Sequence, residues 1–294
     1  MEWRSVSRKA PCPCCSGKKY GDCCGFLEKQ QIVGPDSSRF AAMRSIAYKG
    51  KIGRQREAFC SRYVDTKTGL LELVRKKLAS AELETGKRVT CKKGCTICCS
   101  MYIEASIQEC EAIVYYLYHH DAALSSFLRS YPAWRAALKE QGDIFKGRSR
   151  YWEPQTTVEK AASLWREFTE EEDKYFAQDI PCPFLSEGLC SIYEVRPYVC
   201  ASYAAVTPPE YCRSGSQDQP RVVKAIPHGV RADRSFYPEQ LSERVLSTMQ
   251  IMVYEILKSG LTCFSQAGIK GLEDLDARWL ADPELSAVYR KYLR

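Results

Sequence analysis

The chain has 294 residues, a formal net charge of +7, and 16 cysteines against three histidines, His119, His120 and His228. No apolar run approaches the roughly 20 residues that a membrane-spanning helix needs, and the opening Met-Glu-Trp-Arg-Ser lacks the apolar stretch of a secretory signal, so the expected address is the cytoplasm. There, clustered cysteines serve as metal ligands or redox groups rather than structural disulfides, and with so few histidines a four-coordinate site must be almost wholly thiolate, which selects zinc or iron–sulfur and excludes Mg2+, Ca2+ and non-haem Fe(II) chemistry.

In chain order, residues 1–28 form a small Cys/Gly/Lys-rich unit with no apolar periodicity, so something other than a hydrophobic core must hold it together. Residues 29–53, with Gly34-Pro35, Gly50 and Gly53, are expected to be a linker carrying at most one short helix. Residues 54–294 are expected to form a helical domain. Phe59, Tyr63, Leu70, Leu71, Val74 and Leu78 recur at helical spacing, and Gly86 supplies a stop.

Ser106–His120 is the clearest amphipathic helix, with Ile107, Cys110, Ile113, Val114, Leu117 and Tyr118 on one stripe and Glu109 three residues after Ser106, as in a capping box. Further helices are expected over 122–139, on both sides of Pro132, and over 157–177, 238–258 and 272–293. Strands are few, with 219–226 and 229–232 as candidates. The class is therefore mainly α, with irregular cysteine-rich loops. Cys60, Cys110 and Cys263 fall in helical patterns and are expected to pack as small hydrophobes, while His119-His120 suits a helix C-terminus.

The segment from Cys12 to Gly25 contains Cys12, Cys14, Cys15, Cys23 and Cys24. C-x-C followed by Cys-Cys puts four thiolates in a loop too short to fold alone, and a tetrahedral Zn2+ can supply the missing free energy. With Pro13, Ser16, Gly17, Lys18, Lys19 and Tyr20, this segment resembles the SEC-C motif, a short zinc knuckle. The resemblance implies a structural zinc on Cys12, Cys14, Cys23 and Cys24. It also implies a docking surface exposing Lys18, Lys19 and Tyr20, for partners such as the ribosome or protein-export machinery. Cys15 departs from the motif, which usually has glycine there, and adds a fifth thiol.

Two more clusters follow: Cys91, Cys95, Cys98 and Cys99 in a C-x3-C-x2-C-C pattern, then Cys182, Cys190 and Cys200, with Cys212 beyond. The later cluster offers only three cysteines at wide spacing, so the two clusters are expected to meet at one site. Together with Pro183-Phe184-Leu185, Gly188, Ser191-Ile192-Tyr193-Glu194 and Arg196-Pro197, they resemble the YkgJ-like cysteine-cluster family over residues 88–205, a family described as chelating zinc or iron.

Some members are flagellin lysine N-methylases, so the resemblance implies an alternative: an iron–sulfur enzyme using S-adenosylmethionine. Metal storage or delivery is a third reading. No glycine-rich methyl-donor loop is visible. Seven cysteines exceed the four of one Zn2+ or one [4Fe–4S] cluster. Either three of them lie outside the ligand shell, the single-centre arrangement favoured here, or Cys212 makes eight and two centres. Arg196 is expected either to hydrogen-bond the thiolates or to pair with Glu194 or Glu187. The net charge suits an acidic partner or a solubilising surface. Without a long basic run it does not by itself point to nucleic acid.

Overall fold

The computed structural model describes residues 7–10, 18–22, 35, 37–48, 50–105, 107–140, 170–224 and 247–259. The fold is mainly helical, as expected. The helices are α1 (Phe40–Ala47), α2 (Gly50–Thr85), α3 (Ile107–Leu117), α4 (Asp121–Glu140), α5 (170–177), α6 (Tyr198–Ser202) and α7 (Met249–Ser259). Among the described residues the strands form three antiparallel pairs: β1 (Glu104–Ala105) with β6 (Ser247–Thr248), β2 (Leu185–Ser186) with β3 (Leu189–Cys190), and β4 (Tyr203–Ala205) with β5 (Val222–Lys224). No helix among these residues is long and apolar enough to cross a membrane.

The core lies between α1, α3, α4 and α7. The α3 stripe anticipated from periodicity is buried at Cys110, Ile113, Val114, Leu117 and Tyr118. It meets Phe127 and Tyr131 of α4 and Met252, Val253 and Ile256 of α7. Helix α4 runs through Pro132. Tyr131 stacks on Tyr254 with ring centroids 4.0 Å apart, joining α4 to α7. Helix α7 is steered into place from its start, because β6 pairs with β1 and the Met249 amide donates to the Ile103 carbonyl.

The stretch expected to be a linker contributes to this core: Phe40, Met43, Ala47 and Tyr48 are all buried in it. Its glycines suggested a loop, yet α2 begins at Gly50 rather than near residue 54. A Cβ on Gly53 would lie 2.3 Å from the Tyr48 carbonyl carbon. Gly53 is therefore what lets the first turn of α2 cross the end of α1. At the other end α2 stops at Thr85, with Gly86 at φ +64°, as anticipated.

Helix α2 is fastened to α3 by buried charge as well as by apolar contact. Arg56 Nε donates to Glu111 Oε2 at 2.6 Å, and Lys67 Nζ lies 3.1 Å from Glu109 Oε1, with both cations fully buried. Burial opposes the Arg56 charge, but Glu111 together with Tyr48, Cys60 and Tyr118 outweighs it and raises its pKa. Such pairs add little net stability but are costly to break singly. Replacing Arg56 by Met should therefore destabilise the chain by about 3–5 kcal/mol in urea unfolding. The double replacement Arg56→Met/Glu111→Leu should restore most of that loss.

Candidate metal centre

The segment between α2 and α3 carries the first cysteine cluster, and hydrogen bonds from both ends hold it against the second. Thr90 donates from its amide to the Ala205 carbonyl at 2.8 Å and from its hydroxyl to the Thr207 carbonyl at 2.6 Å. The Ala205 amide in turn points at Cys91 Sγ, 3.1 Å away. Further along, a 3-10 helix at Ile97–Ser100 presents Cys98 and Cys99, and the Cys182 amide donates to the Cys99 carbonyl at 2.9 Å.

Cys182 and Cys190 flank the β2–β3 hairpin, in which Leu185 faces Cys190. Glu187 and Gly188 both have positive φ, +52° and +74°, the requirement of a two-residue type I′ turn and a match to the right-handed twist of paired strands. Phe184 anchors the hairpin by stacking on Phe127 of α4, centroids 4.3 Å apart. Ile192 and Val195 continue into the core, and α6 then carries Cys200. The Tyr198 amide at the start of α6 donates to Glu109 Oε1 at 2.9 Å. A second 3-10 helix, Pro209–Cys212, packs against the one that bears Cys98 and Cys99.

The two distant clusters thus meet on one side of the molecule. All the described cysteines are free thiols. The Cys99 thiol donates to Cys98, which outweighs the opposing effect of partial burial and, with Arg196 nearby, lowers Cys98 to about 7. The same hydrogen bond, then burial, raises Cys99. Burial lifts Cys182 to about 11 against the Phe184 amide and the Gln250 side chain, and it lifts Cys200 further, helped by the thiols of Cys182, Cys98 and Cys190. Cys212 is raised by burial and then by the thiols of Cys91, Cys98 and Cys95. Among the described residues, no three His, Cys, Asp or Glu side chains are already set to hold an ion.

The surroundings fit a thiolate-bound metal. Arg196 was expected either at the thiolates or in an ion pair. Glu194 is taken by Lys93 at 3.5 Å and Arg75 at 3.9 Å. Arg196 lies over the Tyr193 ring, 3.9 Å from its centroid, and its charge opposes the raised pKa of Cys91, Cys190 and Cys200. Its Nε is buried and makes no hydrogen bond among the described residues. That leaves a donor suited to a ligating sulfur. Gln250, at the start of α7 and 1% exposed, donates from Nε2 to Cys182 Sγ at 3.4 Å, while its Oε1 is buried and has no hydrogen-bond partner among the described residues.

The comparisons agree with this geometry. Residues 90–219 match the CxxCxxCC family, described as a "putative zinc- or iron-chelating domain". Residues 8–26 match the SEC-C motif. Both resemblances seen in the sequence therefore hold, with slightly different limits. No curated protein and no solved structure matches the chain.

All seven cysteines anticipated at the second site lie inside the CxxCxxCC domain, and Cys212 joins them. Glu109 is held by Lys67 and the Tyr198 amide; Ser106, its expected capping-box partner, lies outside the described residues. Gln250 falls beyond the domain, and a single glutamine opening an amphipathic helix carried no sequence signal. Cys60 and Cys110 are buried as expected, and His119 and His120 stack on Tyr115 and Tyr116. Cys12, Cys14, Cys15, Cys23, Cys24, Cys263 and His228 lie outside the described residues. So do 141–169 and 225–246 and the helix expected over 272–293. Beside the knuckle cysteines, the Gly21 amide donates to the Arg8 carbonyl at 2.9 Å, and Lys18 and Lys19 are exposed.

The thiol asymmetry gives a direct test. In the reduced, metal-free chain, Cys98 should be the first of the described cysteines that iodoacetamide labels, with a rate that rises through a midpoint near pH 7 as the thiolate forms. Cys182 and Cys200, raised by burial, should lag at that pH, and mass spectrometry of tryptic peptides reads the order.

Proposed function

We infer that the CxxCxxCC domain chelates zinc or iron as a resident, thiolate-ligated centre, with the surrounding helices as its frame. The observation that carries this reading is the convergence of residues 91–99 with 182–212. These segments are joined by the Cys182–Cys99 and Thr90–Ala205 hydrogen bonds, and their thiols are free rather than paired as disulfides. An all-sulfur donor set suits tetrahedral Zn2+ or an iron–sulfur cluster. The Arg196 charge offsets the excess negative charge of either. The burial of Cys182 and Cys200 favours a resident metal over cargo that exchanges freely.

Anaerobic purification followed by elemental analysis and a visible spectrum tests this. Zinc or iron should co-elute with the chain at fixed stoichiometry, with a brown colour if the centre is iron–sulfur. A colourless, metal-free chain would overturn it.

The SEC-C match supports the N-terminal unit as a zinc knuckle that docks a partner through the exposed Lys18 and Lys19, with the Arg8–Gly21 backbone bond drawing the flanks of its loop together. The partner we favour is the ribosome or the protein-export machinery. Deleting residues 1–28 should abolish co-sedimentation with that machinery while leaving the metal of the CxxCxxCC domain in place. Sedimentation unchanged by the deletion, or absent from the full chain, would reject the docking role.

A further inference from the structure

We propose that the CxxCxxCC domain holds two four-cysteine centres rather than one, an outer centre on Cys91, Cys95, Cys98 and Cys212 and an inner centre on Cys99, Cys182, Cys190 and Cys200. This rests on the metal-binding reading above and specifies its number and membership.

The packing around the adjacent Cys98 and Cys99 sends them to different neighbours. Cys99 is tied through its carbonyl to the Cys182 amide, and the thiols of Cys182 and Cys190 lie near it as well as that of Cys98. Cys212 reaches the other side, on the 3-10 helix that packs against residues 97–100, and its neighbours are Cys91, Cys98 and Cys95. Cys91 is placed there by the backbone of Ala205, seven residues before Cys212.

Cys98 sits at the seam, between its outer neighbours and Cys190 and Cys200. Eight sulfurs satisfy two tetrahedral ions or two clusters with none left over.

Two buried polar atoms with no hydrogen-bond partner among the described residues, Arg196 Nε and Gln250 Oε1, belong to side chains beside this group. Arg196 influences cysteines of both sets, Cys91 and Cys98 on one side and Cys190 and Cys200 on the other. Gln250 contacts the inner Cys182. The outer set includes the exposed Cys91 and Cys98, whereas the four inner cysteines are all partly shielded. The outer metal should therefore be the more exchangeable of the two.

The test uses the full chain with Cys12, Cys14, Cys23 and Cys24 changed to Ser, so that the knuckle does not contribute. Reduced and metal-free, it is titrated with Zn2+ and, anaerobically, with Fe2+. Two equivalents of ion should bind. Cys212→Ser and Cys95→Ser should each remove one equivalent, and combining them should remove no more. Cys200→Ser should remove the other, and Cys212→Ser/Cys200→Ser should leave none, with circular dichroism reporting that each variant retains its helices.

A chelator should strip the outer equivalent first, and that fast phase should vanish in Cys212→Ser. One equivalent in the parent, undiminished by Cys212→Ser, would overturn the two-centre assignment while leaving metal binding intact. No uptake of either ion would instead reject metal binding itself.

Discussion

A single buried carboxylate sets the geometry of the cysteine domain. Glu109 of α3 receives the Lys67 ammonium of α2 and the backbone amide of Tyr198 on the same oxygen. Lys67 is also 4.9 Å from the Tyr198 ring centroid, within cation–π range. A carboxylate taken out of water is tolerable only with such partners. The carboxylate and its partners come from three elements, so the long scaffold helix, the core helix and the start of α6 are held in one register. Cys200 is two residues from Tyr198. The position of this ligand candidate is thus fixed by a charge network behind it rather than by anything at the metal.

The same logic runs through the other ligand segments. Each is irregular, and each is pinned from the rear: residues 90–91 by the backbone of 205–207, Cys99 by the Cys182 amide, the hairpin by Phe184 against Phe127. What the frame does not do is close the sulfurs into a finished coordination shell. Thiols raised by burial, Cys182 and Cys200 above all, must lose protons before they can ligate. Binding therefore releases protons and contributes its free energy to ordering the loops, the coupling expected where ligands are only partly prearranged.

Most of the helical frame was legible in the sequence because long amphipathic helices repeat one pattern many times. The stripe of α3, the helix through Pro132 and the Gly86 stop each follow from local periodicity and backbone freedom. The convergence of the two cysteine clusters was legible for a different reason, the shortage of ligands in either cluster alone. What was not legible depends on partners distant in sequence. The glycines at 50 and 53 looked like a flexible linker, but Gly53 serves a close backbone crossing that only the packing of Tyr48 reveals. Glu109 has the spacing of a capping residue, and nothing in that spacing announces the bonds it receives from Lys67 and the Tyr198 amide. The choice between the two expected roles of Arg196 turned on Lys93 and Arg75, about a hundred residues upstream, which occupy Glu194 instead.

The positive charge of the chain takes a different meaning once the thiolates are considered. The formal +7 treats every cysteine as neutral. A dication held by four thiolates carries about −2, and a [4Fe–4S] cluster in its oxidised form with four thiolates carries the same. With the knuckle and two centres in the CxxCxxCC domain all loaded, the net charge would fall to about +1. Much of the basic excess would then act as counter-charge to bound metal. Its placement agrees, since Arg196 faces the thiols directly and Lys93 lies over the neighbouring Tyr193 ring, 5.1 Å from its centroid. A basic total computed without metal is therefore poor ground for inferring a nucleic-acid partner. An electrostatic contact with an acidic partner would have to come from local exposed groups such as Lys18 and Lys19, because little net field would remain to steer one from a distance.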